Sequence, residues 1–252
     1  MSSLVVRIGL LVMVLIPAVS ANAQTVGQVY RDRIQLESGI ARKTHVPLPE
    51  GDWLVVAKDF ERTKVSNVRL FRTRLVQVSD RVLKGYIYIV ANDEFPNSGW
   101  TVPGYCTRKD TFFKEPDDTR GFGDDRGFNC VAINHVQMTS GANASAAVKQ
   151  FYDWVWNNTT GMPTTLIASI YEISDGKRYV EVMYHRNPEA EGFAPPRDSS
   201  WRSSDWHKDR LRGDARKLAY MNAVKQWTMD WKPLVEAGFN GTLTGPQTGR
   251  AE

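Results

Sequence analysis

The sequence predicts an α+β fold, a mostly antiparallel β-sheet with a central helix and C-terminal helices packed on one side. Two observations carry that prediction. Alternating apolar runs recur from position 40 to 90 and again from 166 to 184, whereas three- and four-residue apolar spacing appears only around 144–157 and beyond Asp214. Strand-like runs therefore come first and helical runs later. Hydrophobic content of 42%, with 11% aromatics, is enough for a sizeable core and excludes wholesale disorder.

The first residues read as an export signal rather than as part of that fold. A polar start with a single charge, Arg7, leads into an apolar run over 8–16, broken by Pro17 and followed by Ala21-Asn22-Ala23. The small residues suit a signal peptidase, so cleavage is expected before Gln24. Spanning a bilayer takes about 20 apolar residues, roughly twice this run. Residues 1–23 are thus expected to be removed, leaving 24–252 as one soluble domain with no transmembrane segment, periplasmic or secreted.

Strands are expected over 40–46 and 53–60, separated by the turn residues Pro47 to Gly51. A longer run over 65–78 changes apolar phase between Leu70 and Phe71, which a bulge there would reconcile. Residues 81–90 follow with Ile87 and Ile89 on one face and Tyr86 and Tyr88 on the other, so both faces are expected to be covered. Residues 92–129 are the least regular stretch, with Cys106 inside it and Cys130 just past its end. As the two cysteines of an exported chain, they are expected to form a disulfide. Asp117, Asp118, Asp124 and Asp125 surround Gly121-Phe122-Gly123 without the spacing of a calcium loop, and read as a polar turn.

A strand over 128–138 leads to a helix over 144–157, capped by Ser140 or Asn143, with Val148, Phe151, Tyr152 and Val155 as its stripe. Trp154 and Trp156 lie off the stripe and read as core-edge side chains. The sharpest local signal is the hairpin over 166–184, joined by Asp175-Gly176 in a two-residue turn with positive φ. Pairing Ser174 with Lys177 puts Ile167, Tyr171, Ile173, Val180, Val182 and Tyr184 on the core face. The other face takes Ala168, Ile170, Glu172, Tyr179, Glu181, Met183 and His185. A short helix over 205–211 precedes a longer one capped by Asp214, with Tyr220, Val224, Trp227, Trp231 and Leu234 as its stripe. Pro233 is expected to end or kink it near Trp231, with Gly238 as a stop. The tryptophans on this stripe read as core.

Glu172, Glu181 and His185 form the one polar constellation, with the glutamates diagonal across the hairpin and the histidine four residues further on. Carboxylates and an imidazole on one face suit general acid and base work. His45, His135 and His207 have less around them and read as structural. The chain carries no Gly-x-Ser-x-Gly elbow, His-Glu-x-x-His helix, phosphate-binding glycine loop or Cys-x-x-Cys pair, and no cofactor or metal site is expected. The net charge of +4 is dispersed, which argues against nucleic acid. Two function classes follow. The first is a non-catalytic binding protein of the cell envelope, partnered by another envelope protein or polymer. The second is a hydrolase acting on an envelope or extracellular polymer, with Glu172 or Glu181 as acid or base. An open cleft around the constellation would favour the hydrolase.

Overall fold

The computed structural model describes residues 24–41, 43–63, 67–116, 123, 126–138, 144–198 and 200–245. The export signal, the aspartate-rich turn and the caps Ser140 and Asn143 lie outside them. Among the described residues, period-two patterning produces ten strands, β1 (Val29–Tyr30), β2 (Arg33–Gln35), β3 (His45–Pro47), β4 (Trp53–Arg62), β5 (Arg69–Ser79), β6 (Val82–Asn92), β7 (Phe113–Glu115), β8 (Phe128–Gln137), β9 (Thr165–Ser174) and β10 (Tyr179–Arg186). The helices are α1 (Gly104–Thr107), α2 (Ala146–Asn158) and α3 (Ala215–Phe239). Eight strands form one antiparallel sheet in the order β1-β4-β5-β6-β10-β9-β8-β7, and β2 pairs with β3 apart from it. The fold is α+β with a mostly antiparallel sheet, as its periodicities require. No helix among the described residues is long and apolar enough to cross a membrane.

The helices divide between the two faces of the sheet instead of gathering on one. Trp231, Val235 and Phe239 of α3, with Ile34 and Val46 of the small sheet, pack on Leu75, Ile87, Ile89, Val182 and Tyr184. Phe151 and Val155 of α2 pack on Val76, Leu83, Tyr86 and Leu166, which point the other way from the same strands. The loop after β6 covers a further part of that second face, where its Trp100, with Phe128 of β8, encloses Val90 and Tyr179. Both faces of β5, β6, β9 and β10 are therefore apolar. Single-face alternation is blurred where two layers cover one sheet.

This double cover accounts for several departures from the sequence reading. The phase change at Leu70 and Phe71 is no bulge, since pairing with Asn92 and Ala91 runs through it; Leu70 faces the loop while Phe71 is fully buried. Register shifts fall at Val56 in β4 and at Lys84 in β6. The helix α3 passes through Pro233 to Phe239, because burial of Trp231, Val235 and Phe239 outweighs one lost backbone bond at an exposed position. Gly238 permits close approach within the helix: a Cβ there would lie 2.0 Å from the His45 carbonyl oxygen. Of the run 40–46 only its end joins β3, and residues 205–211 form turns leading to a 3-10 segment, Leu211–Gly213. Ser145 caps α2, accepting from the Val148 N–H, and Asp214 caps α3 as expected.

Candidate functional site

The hairpin that carries the constellation closes differently from a two-residue turn. The Asp175 carboxylate accepts from the Lys177 and Arg178 N–H groups and receives the Arg178 Nε–H at 2.8 Å. Gly176 takes φ +86°, whereas Asp175 is not among the residues with positive φ. Those bonds hold a four-residue loop, and Ser174 pairs with Tyr179 instead of Lys177. The slip is two residues, so every side chain keeps its predicted face. Glu172 and Glu181 move from diagonal to directly opposite.

The two carboxyl groups meet at the centre of the second face. Glu172 is only 1% exposed and Glu181 is half-buried. The Tyr179 hydroxyl donates to Glu181 Oε2 at 2.9 Å. Above them, Cys106 of α1 and Cys130 of β8 are joined in a disulfide with their Cα atoms 5.8 Å apart. Glu172 Oε2 lies 3.0 Å from Cys106 Sγ and 3.6 Å from Cys130 Sγ. Burial first, and then the charge of Glu181, push the Glu172 carboxyl up to about 9, against a bond from the Cys106 N–H. Burial also raises Glu181, which the hydrogen bonds from Tyr179 and Glu172 partly offset. Two carboxyls this close in a dry site cannot both be charged, so Glu172 holds a proton and donates it toward Glu181. The two sulfurs and the Glu172 oxygen lie within 4.8 Å of one another. Bonded together, the sulfurs are not thiolates, and the three atoms form a packing contact instead of a zinc site.

His185 does not join this pair. It sits four residues beyond Glu181 in β10, about 13 Å away at roughly 3.3 Å per residue. Its ring stacks on Tyr86 at 4.4 Å, and its Nδ1–H donates to the Tyr86 carbonyl at 3.2 Å, under Phe151 of α2. Burial lowers its pKa to about 4, so it is neutral. His135 and His207, taken singly in the sequence, meet around Trp201: His135 stacks on that indole at 4.8 Å, and its Nε2–H donates to the Trp201 carbonyl at 2.8 Å.

A feature that periodicity did not reveal lies on the opposite face, at the end of the sheet where β4 and β6 begin and β10 finishes. A crevice of about 210 Å³ opens there between the sheet and α3. Trp53, Trp227, Trp231 and Tyr184 line it, with Trp227 and Trp231 stacked at 5.0 Å. Gly85 makes room for Trp53, since a Cβ there would lie 3.2 Å from the indole ring and 3.0 Å from the His185 carbonyl. The last residue of β10, Arg186, reaches in with its guanidinium 4.0 Å from the Trp227 ring centre. Its Nε is buried without a hydrogen-bond partner, and Arg186 has no ion pair among the described residues. Arg74, buried on the other face, differs in having Asp59 at 3.8 Å. The sequence signal for the crevice was the coincidence of a strand-end arginine with tryptophans four apart on α3, which reads as core until the helix is placed.

Compared with protein-family models, curated proteins and solved structures, the chain matches none. What it does must be argued from its own residues.

Proposed function

We propose that the protein is an exported, non-catalytic binding protein of the cell envelope, periplasmic or secreted. The observation that carries this is the cover over the acid pair: Glu172 is buried beneath the disulfide-tied loop. The crevice beside Arg186 is open, and among the described residues lining it no nucleophile and base are in hydrogen-bond contact. The disulfide supports an oxidising compartment. Hydrolysis with Glu172 or Glu181 as acid or base is the second reading. It is favoured by the raised Glu172 pKa, the state a general acid needs. It requires the loop carrying Cys106 to lift.

Native mass spectrometry of the protein isolated from its own envelope fraction tests the first reading. The expected result is a chain beginning at or near Gln24 that carries a stoichiometric adduct, released unchanged on denaturation. A chain retaining Arg7 would overturn export with cleavage. Release of a processed product instead of an intact ligand would overturn the non-catalytic reading.

A further inference from the structure

We propose that the crevice between α3 and the end of the sheet binds a small monoanionic organic acid, with its carboxylate on Arg186 and a flat apolar body among Trp53, Trp227 and Trp231. This rests on the binding reading above and names the ligand class.

The argument starts from an imbalance. A guanidinium cannot shed its proton to escape a dry site, so burial leaves it charged and in need of an anion. Arg186 has no ion pair among the described residues: its guanidinium lies over the Trp227 ring, its buried Nε–H has no acceptor, and the exposed Glu191 at the rim acts on it only electrostatically. A second orphan stands close by. The Tyr220 hydroxyl is buried without a partner, and Arg186 is near enough to act on it electrostatically. Tyr220 and Trp227 lie seven residues apart on one stripe of α3, so both face this end of the sheet. A water molecule could accept from both donors, yet it could not neutralise the cation. A carboxylate does both, and the planar fork of arginine matches its two oxygens.

The remaining lining narrows the class. Its volume of about 210 Å³ is below the range that holds drug-sized ligands and excludes an engulfed polymer. Three indoles in the lining favour a flat apolar body. Glu50 and Glu191 border the crevice as exposed carboxylates, which disfavour a second negative charge on the ligand and so disfavour phosphate esters. Lys84, half-buried, adds a further cation to the lining.

Phenylacetate, its neutral amide phenylacetamide and inorganic phosphate are the probes, titrated into ligand-free protein and followed by tryptophan fluorescence. Phenylacetate is expected to give a saturable change with a micromolar to millimolar Kd, in keeping with so few heavy atoms. The amide is expected to bind about tenfold more weakly or worse, and phosphate to give no saturable change. Arg186→Met is expected to lose about tenfold or more in phenylacetate affinity, with Arg186→Lys between it and the parent. Equal affinity for acid and amide in the unsubstituted protein overturns the proposal without recourse to any variant. So does the absence of a saturable response to phenylacetate, phosphate binding as tightly as the acid, or full affinity in a folded Arg186→Met protein. An envelope-derived adduct that phenylacetate fails to displace would sink this inference and leave the binding reading standing; absence of both adduct and probe binding would sink both.

Discussion

On the face under the disulfide-tied loop, Glu172 and Glu181 lie side by side and settle their burial between themselves; across the sheet, Arg186 lies half-buried over the Trp227 ring with no ion pair among the described residues. Carboxyl groups can respond to a low dielectric by taking up a proton, and the Glu172 pKa of about 9 records that response. Arginine has no such exit. The first arrangement is complete in itself and closed by Cys106, whereas the second is incomplete and open. An acidic pair that shares a proton is thus compatible with a purely structural role, while a half-buried guanidinium without an ion pair beside a cavity points outward to a ligand.

The largest test of this contrast concerns the lid over the acid pair. The disulfide spans a sequence separation of 24. Replacing both Cys106 and Cys130 by Ser is expected to cost about 3 to 4 kcal/mol from loop-closure entropy, read as a fall in the urea midpoint. With the lid loosened, the Glu172 carboxyl should titrate nearer its ordinary range in a carboxyl NMR experiment. An unchanged Glu172 titration in a folded double variant would show that the disulfide is not what keeps the pair dry.

A smaller effect, of opposite sign, is expected at Arg186. Substituting Met removes the uncompensated charge and keeps an apolar stem against Trp227, so the ligand-free protein should gain on the order of 1 kcal/mol. Calorimetric melting of ligand-free Arg186→Met measures it. A loss of several degrees would mean that the cation over the indole is a net stabilising contact and that the charge needs no anion.

The finest distinction lies in pH dependence. The folded-state pKa of Glu172 is raised, so its contribution is fully present below the unfolded value near 4.3 and is lost as pH rises toward about 9. His135 and His185 are both lowered to about 4 by burial. Their contribution is present above the unfolded value near 6.5 and is lost as pH falls toward 4. Stability should therefore peak at about pH 6 to 7 and decline on both sides, the upper limb belonging to the acid pair. Glu172→Gln keeps the hydrogen bond to Glu181 without a titrating proton. It is expected to flatten the upper limb, melting above the parent near pH 8 to 9 and close to it near pH 5. An upper limb unchanged in Glu172→Gln would assign it to other groups.

Much of the candidate site was legible before any coordinates. The two-residue periodicity of β9 and β10 put Glu172 and Glu181 on one face, and the slip in register preserved that because it was even. The exact opposition of the two was not legible, because the Asp175 side chain chose a longer loop than its dipeptide suggests. His185 was placed on the correct face but too far along the strand to matter, a distance the face pattern alone does not weigh.

The amino-acid sequence by itself determined the α+β class, the run of strands, the N-cap of the long helix, and the pairing of Cys106 with Cys130. These follow from local periodicity, turn chemistry and the count of cysteines, all properties of short stretches of chain. Only the tertiary structure decided that α2 and α3 lie on opposite faces, that Glu172 is buried beneath the loop, and that Arg186 meets Trp53, Trp227 and Trp231 at one crevice. Those outcomes depend on which apolar stripe docks on which side of a sheet apolar on both faces, a choice made by packing complementarity over the whole core.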